Sequence, residues 1–123
     1  MRVFLLFVFI GLISACNPPQ RDCDRFHSGT FQFTAQIDGV EETTIFQRTA
    51  DLEVSQYRGK TDSASVRWIN PCEYIVTNLN PGSPGEEKPI HMKILSTTDN
   101  SYTFEYKLVG ESQASRGTAF KTD

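Results

Sequence analysis

Between Thr30 and Lys121, apolar and polar residues alternate with period two in one short segment after another. A turn signal breaks the alternation roughly every ten residues, the spacing of an all-β domain. Residues 101–109 are the clearest case. Tyr102, Phe104, Tyr106 and Leu108 share one face, and Thr103, Glu105 and Lys107 the other. Successive strand side chains point to opposite faces, so such a chain is committed to sheet with one packed and one wet side. No stretch of the chain shows a convincing amphipathic helical period.

The turns divide the chain into about eight strands. Residues 30–37 place Phe31, Phe33, Ala35 and Ile37 on one face, and Asp38 with Gly39 marks a tight hairpin, since both tolerate φ > 0. Residues 42–49 follow, with Thr44, Phe46 and Arg48 on one face; then come residues 52–57, with Leu52 and Val54 as the apolar face. Residues 58–62 read as a turn into the strand of Trp68, the only tryptophan. Asn70 and Pro71 suit the first two positions of a type I turn, where Asn bonds its own backbone and Pro pre-sets φ. Beyond it, Tyr74 and Val76 continue the core face of Val66 and Trp68, and the indole N–H of a core Trp68 is expected to meet a backbone acceptor. Residues 80–89, with three prolines and two glycines, are expected to form no regular structure. Strands are expected again at 90–96, 101–109 and 116–121. The fold class is therefore an antiparallel meander, either a small up-and-down barrel or a strongly twisted sheet, with a two-sheet sandwich as the alternative.

The first residues belong to a different part of the protein's life. Arg2 precedes an apolar run at 3–12, too short to span a bilayer and long enough for a signal-peptide core. Ile13, Ser14 and Ala15 then lead to Cys16, and small residues ahead of a cysteine at this place resemble the bacterial lipoprotein signal, the lipobox. That resemblance implies cleavage after residue 15 and acylation of Cys16, for example by palmitate. The expected organisation is a signal peptide at 1–15, a lipidated polar tether at 16–25 and one β domain at 26–123. Several acyl chains on the new terminus would give stable anchoring. Loss of Arg2 leaves 11 basic against 15 acidic side chains, a side-chain net charge of −4. Such a chain lacks the clustered cations that a nucleic-acid backbone requires.

With Cys16 acylated, Cys23 and Cys72 remain as one pair, in an exported and oxidising setting where disulfides persist. The alternatives are two free thiols or an intermolecular bridge.

Two further resemblances bear on the mature chain. Phe26 to Phe31, Ser65 to Asn70, Cys72 to Tyr74, Ile90 to Leu95 and Tyr102 to Tyr106 together look like a family of small exported proteins of flavobacteria and their relatives. That family has no established activity. Some members carry the label DNA topoisomerase IV, which this sequence does not support: it has no room for a cleavage domain, no basic surface and an export signal. The meander itself is similar in architecture to the lipocalin-like barrels. Their fingerprint is Gly-x-Trp on the first strand with a late Arg packed over it; here Gly29, Thr30 and Phe31 put Phe in the Trp position, and Arg116 is the late arginine.

Catalytic chemistry finds little purchase. His27 and His91 are the only histidines and lie far apart, with no Cys-x-x-Cys, His-x-x-x-His or EF-hand spacing. No serine sits in Gly-x-Ser-x-Gly or Ser-x-x-Lys, and no glycine-rich loop opens a helix. Glu41 with Glu42 and Glu86 with Glu87 are neighbours in or beside loops and read as solvating charges. The expectation is a non-enzymatic envelope lipoprotein without cofactor or metal, anchored most naturally at the outer membrane. Its aromatic set is either a packed core or, for Phe31, Phe33, Trp68, Tyr74 and Phe104, the lining of a site for a small apolar ligand. The competing expectation is a structural or partner-binding accessory with a filled core and an exposed apolar patch or free edge strand.

The lipobox reading predicts that Cys16→Ser abolishes incorporation of an alkynyl palmitate and releases the protein from the membrane fraction. Unchanged labelling of the variant would contradict it.

Overall fold

A computed structural model describes residues 21–37 and 39–123. The expected signal peptide, Cys16, residues 17–20 of the expected tether and Asp38 lie outside these residues. Eight antiparallel strands form a closed up-and-down barrel in sequence order. They are β1 (Gly29–Ile37), β2 (Val40–Arg48), β3 (Leu52–Tyr57), β4 (Lys60–Asn70), β5 (Glu73–Asn78), β6 (Ile90–Thr97), β7 (Ser101–Leu108) and β8 (Ser115–Lys121). Closure comes from Phe31–Phe33 of β1 pairing with Ala119–Lys121 of β8. Each described strand thus has two neighbours, and the barrel leaves no free edge among them.

The hairpins follow the local chemistry of the chain. Ile37 pairs with Val40, leaving a two-residue loop in which Gly39 takes φ +76. The Asn70 side-chain oxygen accepts the Cys72 N–H at 2.9 Å, the self-bonded turn expected of Asn before Pro. β4 starts earlier than the turn residues suggested: only Arg58 and Gly59 make the bend, both with positive φ, and Lys60 to Asp62 already pair with β3. Residues 80–89 are not wholly irregular either. Pro84–Glu87 form a 3₁₀ turn, with Pro at its start where a missing N–H costs nothing.

One end of the barrel is shut and the other is open. At the shut end a 3₁₀ turn, Cys23–Phe26, tucks the fully buried Phe26 ring under the strands. Burying a whole phenylalanine contributes about 2 kcal/mol. Phe26 packs on Tyr102 at 5.2 Å, while Phe31 stacks on Phe46 at 5.2 Å and meets Tyr102 edge-on at 5.7 Å. Bulges between Trp68 and Asn70 and between Ile94 and Ser96 fall at this same end. A bulge sharpens local twist, which lets β4 and β6 curl over the plug. Cys23 and Phe26 are thus both part of the packed body. Gly29 enters β1 at φ +132, and a Cβ there would lie 2.6 Å from Lys121 Cε, so this position suits only glycine.

The Cys23–Cys72 disulfide locks the plug to the β4–β5 turn across a sequence separation of 49. On the chain-entropy argument a loop of this size stabilises the fold by about 4 kcal/mol. The double variant Cys23→Ala, Cys72→Ala should accordingly lower unfolding free energy by about 4 kcal/mol in denaturant titration. An unchanged midpoint would show that the plug is held without the bridge.

Candidate functional site: a half-filled barrel above a buried arginine

The inward face of β2 ends on Arg48, which is 2% exposed. A buried charge is tolerated only when paired and hydrogen-bonded, and Arg48 meets that demand from four directions. Its Nε donates to Glu53 Oε2 at 3.2 Å and its Nη1 to the Phe26 carbonyl at 2.8 Å. Its Nη2 donates to the Tyr74 hydroxyl at 2.8 Å and the Tyr102 hydroxyl at 2.9 Å. The rings of Tyr74 and Phe31 lie 4.7 and 4.9 Å from the guanidinium carbon, adding cation–π attraction. Burial opposes the Arg48 charge, but the phenol oxygens and the Glu53 carboxylate more than offset it, so its pKa lies above its ordinary value. Burial holds the Tyr74 phenol well above its usual range and Tyr102 above it too; the Arg48 charge pulls both the other way and does not win.

Above this floor the barrel is not filled. A cavity of about 270 Å³ is lined by Phe33, Phe46, Val76, Ile90, Met92, Phe104 and Tyr106 on its apolar side. Thr44, Glu53 and Ser55 provide its polar side, with Arg48 and Tyr102 beneath. Glu53, Ser55, Val76 and Ile90 also line a second space of about 340 Å³ at the open end, bordered by Asp62, Asn78, Glu86 and Lys88. Gly117 helps to shape the apolar wall. A Cβ there would stand 2.6 Å from Phe33 and 3.0 Å from Phe104, so glycine lets both rings lie back against β8.

The polar side of the cavity departs from the sequence expectation for β3. Leu52 and Val54 were expected to face the core. Instead Arg48 pairs with Glu53 and Phe46 with Ser55, so Glu53 and Ser55 face inward and Leu52 is 37% exposed. Register with β2 overrides local hydrophobicity because a one-residue shift would turn every side chain of the strand over. Sequence alternation puts Arg48 on the face of Phe46 but does not by itself give it a role. The signal was available: a strand-terminal arginine in phase with a buried aromatic.

The expected lining residues divide between two levels. Phe33 and Phe104 stand on the cavity wall, 5.5 Å apart between ring centroids. Phe31 and Tyr74 are fully buried in the floor below it. Trp68 is also at the shut end, stacked on His27 at 3.7 Å and packed on Tyr74 at 4.4 Å. Its buried Nε1 has no hydrogen-bond partner, against the expected backbone acceptor. The stack on His27 fixes the ring plane, and an unpaired buried donor costs about 1–3 kcal/mol. His27 Nε2 donates to the Pro71 carbonyl at 2.7 Å, while His91 lies on the outer face, 3.2 Å from Glu73. Arg116 does not pack over Phe31. It is 71% exposed and sits 3.9 Å from Glu105, because its strand phase points it outward; Arg48 occupies the place over Phe31 instead. Among the described residues, no three His, Cys, Asp or Glu side chains gather as a metal-ligand set.

No protein-family model matches the chain, and no curated protein or solved structure matches it.

The floor makes a measurable statement about pH. Tyr74 and Tyr102 ionise in the unfolded chain near the ordinary value of 10.0 but above it when folded. Unfolded protein therefore loses protons first, and the stability present below pH ~10 falls as pH rises further. Ultraviolet titration should show two of the four tyrosines ionising only as the fold is lost. Four phenols titrating together while the circular dichroism remains native would contradict the buried floor.

Proposed function

We propose that this chain is the ligand-binding β domain of a membrane-anchored envelope lipoprotein, without catalytic activity, holding a small apolar molecule in the open half of the barrel. The observation that carries the reading is the cavity. Small-molecule sites usually occupy about 300–1,000 Å³ and are mainly apolar with a few placed polar groups. The inner cavity is just below that range at about 270 Å³, and it shares four lining residues with the space at the mouth. A sealed floor beneath an open mouth is the form in which an eight-stranded barrel holds one small ligand.

Two further features support this reading over a partner-binding accessory. Closure leaves the described strands without the free edge that strand addition would use. Of the exposed large apolar side chains, Val40, Leu79 and Val109 sit where β2 begins and where β5 and β7 end, at the open end, where an apolar ligand would enter, while Ile45, Leu52, Ile69 and Phe120 lie elsewhere on the outside. The lipid anchor and the envelope location rest on the sequence of residues 1–16 and belong to the proposal.

The reading predicts that the domain raises the fluorescence of an apolar dye by taking it into the barrel. Ser55→Trp, which projects a large ring into the cavity from β3, should weaken dye binding at least about tenfold while circular dichroism stays unchanged. Undiminished binding by a folded variant would place the dye elsewhere.

A further inference from the structure

The polar side of the cavity also specifies a head group, an inference that rests on the ligand-binding reading above. Among the described residues Arg48 is the one basic side chain on the inner wall, and it is not open to an anion. All three of its nitrogens already donate to protein oxygens: Glu53, the Phe26 carbonyl and the hydroxyls of Tyr74 and Tyr102. A carboxylate or phosphate entering the barrel could pair with it only by breaking that set, at the expense of the floor.

The groups that do face the opening carry the opposite charge. Glu53 is held through one carboxylate oxygen by Arg48 and borders both the inner cavity and the mouth. One strand over, Asp62 pairs in register with the inward-facing Ser55 and lines the mouth. Glu86 borders the same space, where its carboxylate accepts the Gly82 N–H. Among the described residues Lys88 is the only basic side chain on the mouth wall, and it is drawn to Glu111 at 3.1 Å. An ionised carboxylate can only accept hydrogen bonds, so its complement is a donor. Low-dielectric walls around one sign of charge strengthen the field at the entrance.

We propose that the site takes an amphiphile with an apolar chain and a cationic, hydrogen-bond-donating head, of the alkyl-amine class. The chain lies against Phe33, Phe46, Met92, Phe104 and Tyr106. The protonated amine sits beside Glu53 and Asp62. The same arrangement discriminates against fatty acids of equal length, whose carboxylate would face Glu53 and Asp62 with no free cation.

The test compares decylamine, decanol and decanoate as probes of one chain length, below their aggregation thresholds, by calorimetry on the disulfide-bonded domain. Decylamine should bind at least about tenfold more tightly than decanoate, with decanol between them. Asp62→Asn alters an exposed side chain that takes no part in holding Arg48. It should shrink the amine preference several-fold while decanol binding, which reports an intact cavity, stays unchanged. Decanoate binding as tightly as decylamine would overturn the head-group assignment and leave the ligand-binding reading standing. A preference for amine that survives Asp62→Asn undiminished would also overturn the assignment of the head group to this end of the barrel. Failure of all three probes to bind the folded domain would overturn the ligand-binding reading itself, and this inference with it.

Discussion

The structure depends on keeping one positive charge inside a barrel. Arg48 can stay there only because its oxygen partners arrive from separate parts of the chain: a backbone carbonyl from the N-terminal plug, phenols from β5 and β7, and a carboxylate from β3. Removing any one partner would leave a buried charge less than fully paired, which is among the costlier defects a fold can carry. The network therefore acts as a register lock. It ties the plug to strands on opposite sides of the barrel and fixes which face of β3 points inward. The disulfide reinforces the same junction from the outside, joining the plug to the turn before β5.

That lock divides the barrel into two halves with different jobs. Below Arg48, Phe26, Phe31, Tyr74 and Tyr102 pack as an aromatic floor. Above it, space remains, because Gly117 supplies no side chain and Thr44 and Ser55 supply small ones. A small domain gains most of its stability from buried apolar area and can rarely leave space unfilled. Here the disulfide and the dense floor provide stability that allows the upper half to stay open. The charge of Arg48 is spent within the floor, while the carboxylates of Glu53 and Asp62 border the opening.

Most of the architecture was legible in the sequence because it is written in local terms. Period-two alternation in β1, β4, β5 and β7, the Gly39 bend, the Asn70 turn and the pairing of Cys23 with Cys72 all follow from residues close to the feature or from simple cysteine arithmetic. What was not legible is what depends on register across strands. In β3 both faces are mixed, Leu52 and Val54 against Glu53 and Ser55, and hydrophobicity alone selects the wrong one. The misplacement of Arg116 has the same origin: a late arginine suggests a partner for Phe31, but only strand phase shows that it faces out and that Arg48 takes that place. The lone indole donor of Trp68 was equally unreadable, since its fate is set by the His27 stack, a contact between distant residues.

The proposed function requires an apolar ligand site directly above the Arg48 floor. Anomalous diffraction from crystals soaked with a short bromoalkane tests it most directly, because the bromine reports its own position. A bromine peak is expected inside the barrel, among Phe33, Met92 and Phe104, with the Arg48 hydrogen bonds undisturbed beneath it. Bromine found only on the outer surface, with an empty or collapsed interior, would contradict it.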